Sequence, residues 1–339
     1  MPFLQTLGGG SASGFSQRIS FSYQTSTFNY TGAVQTFTIP AGTQNITAHV
    51  FGPGGGATGD TSSTYGGAGG YTVGQINPVV GGSFKIIVGG GGRSGQQLNG
   101  SGAGYSAVAT PNWAGSNVST DHGAIILAAG GGGGAGDHEV ATGFGGAGGG
   151  STGQQGGYSG SARSGSGLGG TQSAGGAYPG QAGGGACSGG TSLCAGYQLR
   201  GGQSCGNSPA VSNGTQGWPQ QIYGGDWGAA AGGGGCNGGG GGAGYYGGSG
   251  AGHTTVTYGN SGCGGGGSGY TGGSGSYTTS NVGTHGGNEH NVSSQATNSG
   301  YLTSGVSVGG IYNTTNANSG NLHGGGNGKV VLYYLAPTP

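Results

Sequence analysis

Alternation of apolar and polar positions is confined to the two ends of the chain. Ile46, Ala48 and Val50 alternate with Thr47 and His49, and Phe84, Ile86 and Val88 repeat the pattern. A period of two is that of a half-buried strand. Runs of β-branched and aromatic residues occupy 34–40 (VQTFTIP), 45–51 (NITAHVF), 71–77 (YTVGQIN), 83–88 (SFKIIV) and 124–129 (AIILAA), each bounded by glycine, proline or asparagine. Such runs predict strands. The last strong run, 329–335 (KVVLYYL), needs a partner, and the well-supplied strands all lie far upstream. The pattern predicts an all-β fold: an antiparallel β-sandwich closed by the terminal strand.

Between these ends the pattern disappears. Leu, Ile, Val and Phe number 27 in residues 1–130 and 9 in 301–339, but only 10 in the 170 residues of 131–300, which hold 64 of the 101 glycines. The expected organisation is an N-terminal arm (1–22), a discontinuous sandwich (23–130 plus 301–339) and a glycine-rich insertion (131–300). Helix is nearly excluded, because glycine costs about 1 kcal/mol per helical position relative to alanine. A stretch so poor in side chains either stays a solvated linker or packs through its backbone. Runs at 130–136, 145–150, 232–244 and 264–267 suit the second course. Extended helices of three residues per turn have no internal hydrogen bonds. Without Cβ atoms they approach closely and pair their N–H and C=O groups laterally, so that buried peptide groups are satisfied. The expectation is an inserted bundle of polyglycine II helices.

Charge removes several functions. Six basic and six acidic residues give no net charge, so there is no cationic surface to neutralise phosphates, and nucleic acid is not an expected partner. The longest strongly apolar run, 124–129, is far short of the roughly 20 residues that span a bilayer. No membrane insertion is expected.

The succession FNYTGAVQTFTIPAGTQNITAHVFGPGGG, GGYTVGQINPVVGGSFKIIVGGGG and GAIILAAGGGGGAG, over about residues 28–136 with 329–335 added, resembles the glycine-rich domain of the anaplastic lymphoma kinase receptor family. The matching steps are a turn at 38–42, a strand running into 54–56, and strand ends at 88–92 and 128–133. The resemblance implies a tumour-necrosis-factor-like, jelly-roll-like sandwich with inserted polyglycine helices, and no receptor function. The glycine runs also resemble the tip adhesins on tail fibres of T-even-like phages, which stack such helices and display loops at their ends. The opening MPFLQTLGGGSASGFS and the ending GGGNGKVVLYYL look like those of structural proteins of phages and large DNA viruses. These resemblances imply a virion protein made in the host cytoplasm without a signal peptide, with residues 1–22 either docking on other virion subunits or forming an edge strand.

No catalytic constellation emerges, and no catalytic residue, cofactor or metal is expected. Gly202-Gln203-Ser204-Cys205-Gly206 matches GxSxG, but lacks a strong preceding strand in a chain that generates such strings by chance. Asp137-His138-Glu139 and the string His285 to His290 read as solvated loop tips, and His49 and His253 as surface strand residues. Cys187, Cys194, Cys205, Cys236 and Cys263 show no CxxC spacing, which argues against zinc. A disulfide such as Cys187–Cys194 suits an oxidising setting, whereas cytoplasmic assembly keeps thiols reduced.

Aromatics are the remaining recognition groups. In a chain this poor in charge, tyrosine and tryptophan at loop tips supply rigid contact area with a polar handle. The candidates are Trp218, Tyr223, Trp227, Tyr245, Tyr246, Tyr270 and Tyr277, with 211–227 (VSNGTQGWPQQIYGGDW) the least glycine-rich loop of the middle. The alternative is that these rings cover the rim of the bundle. The expected role is host attachment through a cell-surface glycan or an outer-membrane protein. Two other roles remain open: a capsid or fibre building block, which makes a homo-oligomer one form of assembly, and a secreted matrix or ligand-binding module.

Overall fold

The structure, a computed structural model, describes residues 19–58, 64–93, 100–115, 118–136, 143–158, 161–162, 165–179, 194–203, 238–251, 262–288, 291–310 and 324–338. The strands in chain order are β1 (Phe21–Asn29), β2 (Gln35–Thr38), β3 (Gln44–Phe51), β4 (Thr64–Tyr65), β5 (Tyr71–Ile76), β6 (Ser83–Ile87), β7 (Ser106–Ala109), β8 (Ile125–Ala129), β9 (Gly143–Phe144), β10 (Gly157–Tyr158), β11 (Ser161–Ala162), β12 (Thr279–His285) and β13 (Lys329–Pro337). Two short helices with described bounds are α1 (Val118–Gly123) and α2 (Ser294–Asn298).

Two antiparallel sheets, ordered β1-β13-β3-β5-β12 and β2-β6-β7-β8, form the sandwich. Their facing positions supply Ile46, Ala48, Val50, Ile76, Phe84, Ile86, Val108, Leu332 and Val330, all at most 1% exposed. The alternation in 45–51 and 83–88 is thus the inward face of β3 and β6. The terminal strand β13 lies between β1 and β3, so the last run of the sequence closes the sheet formed by its beginning.

The glycine segments are ordered by their main chain. In 131–135 the successive N–H groups donate to Ala243, Pro53, Gly146, Gly240 and Gly56, at 2.7–3.0 Å. Residues 131 and 134 therefore face one neighbour, 240–243, and residues 132 and 135 another, 53–56. The carbonyls behave alike: those of 130 and 133 accept from Gly70 and Gly67, those of 131 and 134 from Gly267 and Gly264, and those of 132 and 135 from Ala103 and Gly100. This segment is thus bonded to six others with a repeat of three residues. The segment 262–269 repeats the arrangement. Its N–H groups at 264 and 267 reach 131–134, those at 265 and 268 reach 246–249, and those at 266 and 269 reach 150–154.

The approach leaves no room for side chains. A Cβ on Gly133 would lie 2.6 Å from the carbonyl carbon of Gly264 and nearer still to its oxygen. Ala135 and Ala147, alanines within the glycine segments, are fully buried.

The boundaries differ from the sequence expectation in both directions. Segments 52–56, 66–70, 89–93, 100–104 and 324–328, from the two ends, bond into the glycine assembly. Conversely β12, from the middle, pairs with β5 as the outer strand of the larger sheet. Strands β3 and β8 pass directly into 52–56 and 130–136, so sandwich and glycine assembly share continuous chain. Residues 1–18 of the expected arm lie outside the described residues, and residues 21–22 belong to β1.

Gly133→Ala is expected to lower stability by about 3 kcal/mol or more, beyond the usual cost of overpacking because the obstacle is backbone. Gly123→Ala, where a Cβ meets nothing within 4 Å, should be neutral to about 0.5 kcal/mol. Thermal unfolding of the two variants beside the parent chain checks both.

Candidate aromatic binding surface

The candidate aromatics separate once placed. Tyr277 is a core residue, 7% exposed, its ring 5.2 Å from Phe84 and its hydroxyl donating to the Ser83 carbonyl at 3.1 Å. Trp218, Tyr223 and Trp227 lie outside the described residues. Tyr245, Tyr246 and Tyr270 come together beside α1. This helix is held by the buried Asp121, whose carboxylate accepts from the Ala114 N–H at 2.7 Å.

Tyr245 stacks on Tyr270 at 3.8 Å and on His122 at 3.9 Å. Two rings that close must occupy opposite faces of Tyr245, so neither of its faces can receive a ligand. Burial, with Tyr270 beside it, holds its phenol well above the usual value. This ladder packs on the cluster of Tyr105, Trp113, Ile125, Leu199 and Ala243. Its work is to cover the junction of sandwich and glycine segments.

Tyr246 is presented differently. It meets His122 and Tyr245 edge-on, at 4.9 and 5.5 Å, and its hydroxyl accepts from the Gln198 amide at 3.4 Å. Gln198 sits on a tight turn closed by reciprocal bonds, Tyr197 N–H to Arg200 carbonyl at 2.9 Å and Arg200 N–H to Tyr197 carbonyl at 3.2 Å. At its tip Leu199 has φ +59 and is 1% exposed. A leucine in that region costs about 1–2 kcal/mol, offset by burying its side chain in the cluster below. With Leu199 turned inward, Tyr197, Gln198 and Arg200 surround a cleft of about 360 Å³ together with Tyr246, Gly175 and Gly196.

Composition singles out Tyr246 but not Tyr197, Gln198 or Arg200 beside it. The available signal was that Arg163 and Arg200 are the only basic residues of 131–300, and that Arg200 stands three residues from a tyrosine. Cys194, at the start of this segment, is disulfide-bonded, to a cysteine outside the described residues. An oxidised pairing therefore replaces the reduced thiols expected of cytoplasmic assembly. Cys263 is a buried thiol whose sulfur accepts from the Gly136 N–H at 3.3 Å.

His49 departs from its expected surface position. It is half-buried on the outer face of β3, its Nδ1 2.7 Å from the Tyr71 hydroxyl and its ring 4.6 Å from Tyr301. Phe51, Tyr71, Val331 and Ala296 bury this face beneath residues 291–306. Burial pushes Tyr71 up to about 12, with Tyr301 adding to the shift, and pushes His49 down to about 4. The patch is a second small core. Asp137, His138, Glu139, Glu289, His290 and His253 lie outside the described residues. Among the described residues no three His, Cys, Asp or Glu gather to hold a metal ion, and no helix is long and apolar enough to cross a membrane.

No protein-family model matches the chain, and no curated protein matches it.

The folded pKa of His49 lies below its unfolded value, so the unfolded chain takes up the proton more readily. Stability is full above pH 6.5 and declines as pH falls towards 4. His122, also lowered by burial against an opposing hydrogen bond to the Tyr245 backbone, acts in the same direction. His49→Gln should flatten part of this decline, read as unfolding midpoint from pH 8 to 4, and His49→Gln with His122→Gln should flatten more of it.

Proposed function

We propose that the chain is a non-enzymatic structural protein on the surface of a virus or phage particle, and that its glycine segments are polyglycine II helices presenting loops for host attachment. One observation carries this reading: a hydrogen-bond repeat of three residues, with bonds to six neighbours, in 130–136 and again in 262–269. Three residues per turn is the period of that helix. Bonds in six directions resist sliding and splaying of any one segment. A scaffold of this kind has no side chains free for chemistry, and its connecting loops fall at its ends. Recognition then rests with residues such as Tyr246 and the loop 211–227. A cell-surface glycan or an outer-membrane protein is the partner such rings suit.

A specific observation favours the building-block reading as a second possibility. β1 lies at the edge of its sheet, nine residues long and without charge, with Phe21 and Tyr23 exposed along it and Ile19 exposed just before it. An edge of this kind accepts another strand, which suits contact with other virion subunits. The disulfide at Cys194 is what favours a secreted module, since such bonds persist in oxidising surroundings. A released particle meets the same conditions.

Excess purified protein should block adsorption of the particle that carries it, and Trp218→Ala combined with Trp227→Ala should weaken the block without changing the unfolding midpoint. Adsorption untouched by excess protein would end the attachment reading. Removing residues 1–18, which leaves β1 whole, should sharply reduce incorporation into particles if that segment docks on other subunits.

A further inference from the structure

We infer that the cleft formed by Tyr197, Gln198, Arg200 and Tyr246 binds an acidic glycan, through a pyranose ring bearing a carboxylate. The inference rests on the attachment reading and names the ligand class of one of its sites.

The cation is the first reason. Arg200 is half-buried and its Nε is shut from solvent without a hydrogen-bond partner. Asp121 is the only acidic residue within the described residues, and its carboxylate serves Ala114. Among the described residues Arg200 has no ion pair. A guanidinium does not discharge at neutral pH, although burial lowers the pKa of this one against an opposing effect of Tyr197. A charge removed from water is costly until it is paired, and a carboxylate meets the guanidinium fork with two parallel hydrogen bonds. In a chain with twelve charged residues in 339, one cation facing a cleft is not part of a general surface charge.

The walls supply the rest. Tyr197 is 41% exposed, with the Arg200 guanidinium carbon 6.0 Å from its ring centre. A ring and a cation side by side suit a ligand with an apolar face and an anionic substituent. The Gln198 amide and Tyr246 hydroxyl, bonded to each other at 3.4 Å, lie at the long limit of a hydrogen bond and can turn to sugar hydroxyls. Gly175 and Gly196 provide the floor. Both add only backbone to the lining, and their Cβ directions point into neighbouring carbonyls, of Gly196 and Gly247, so the floor is packed main chain. A volume of about 360 Å³ falls at the small end of ligand sites, about 300–1,000 Å³. The size suits one or two sugar units rather than a folded partner.

Calorimetric titration of the full chain with methyl β-glucuronide, the methyl glycoside of N-acetylneuraminic acid, methyl β-glucoside and sodium phosphate tests this. At least one acidic sugar should bind about tenfold or more tightly than the neutral one, and millimolar phosphate should not displace it. Arg200→Gln should abolish the preference for acid, and Tyr197→Ala should weaken acidic and neutral sugars alike. If Arg200→Gln does not fold, judged by its unfolding midpoint, Arg200→Lys is read instead. It keeps the charge without the fork, and should lose most of the preference. Equal binding of acidic and neutral sugars, no sugar binding, an unchanged Arg200 variant, or displacement by phosphate each overturns the inference. Should excess protein block particle adsorption while no acidic sugar binds, this inference fails and attachment stands. Should Arg200-dependent sugar binding appear without any block, attachment fails and the site stands.

Discussion

A peptide N–H or C=O taken out of water must find a partner, and in this chain that requirement replaces the usual demand for buried apolar side chains. Glycine segments meet it by bonding sideways, each residue in turn to a different neighbour. The distance that allows those bonds is the distance that excludes a Cβ, so composition and packing are one fact. Ordering so much glycine is entropically expensive. An isolated segment has no means of offsetting that cost; one surrounded on six sides has two lateral bonds per residue.

The sandwich supplies the rest of the constraint. β3 and β8 leave the sheets as the glycine segments 52–56 and 130–136, and the antiparallel bridge between Ala128 and Tyr270 ties the end of one segment to a strand. The side-chain core therefore fixes where the side-chain-free region begins. Leu199, Tyr105, Trp113 and the ladder of His122, Tyr245 and Tyr270 seal the junction. The turn that carries Tyr197 and Arg200 is anchored there through Leu199, so the cleft stands on that junction.

Much of this was legible in sequence. The strands at 45–51, 83–88 and 329–335 announced themselves by alternation or by β-branched and aromatic content, and each lies within a residue or two of its expected bounds. β1 (FSYQTSTFN), β7 (SAVA) and β12 (TSNVGTH) carry no such signal, for physical reasons. Two are edge strands with little to bury, and the third is short and packs through alanine. Glycine content marked the middle as the side-chain-free part but not that the ends contribute segments to it, because 54–56 and 89–92 are too short to stand out. Tyr277 and Tyr245 look alike in sequence: each follows glycine and serine or alanine. Only tertiary contacts make one a core residue and the other the middle of a stack. Arg200 has no flanking motif, since its place beside Tyr197 and Tyr246 is set by tertiary structure.

The sideways bonding of the glycine segments bears on how the molecule responds to cold. Apolar surface exposed on unfolding raises the heat capacity, whereas polar surface lowers it. A region that buries mostly peptide groups should therefore show a small heat-capacity increment, and a flatter stability curve than the sandwich to which it is joined. Chilling weakens hydrophobic contact but does little to a lattice of amides. Near freezing the glycine-rich part would be the firmer half of the molecule, the reverse of what its composition first suggests.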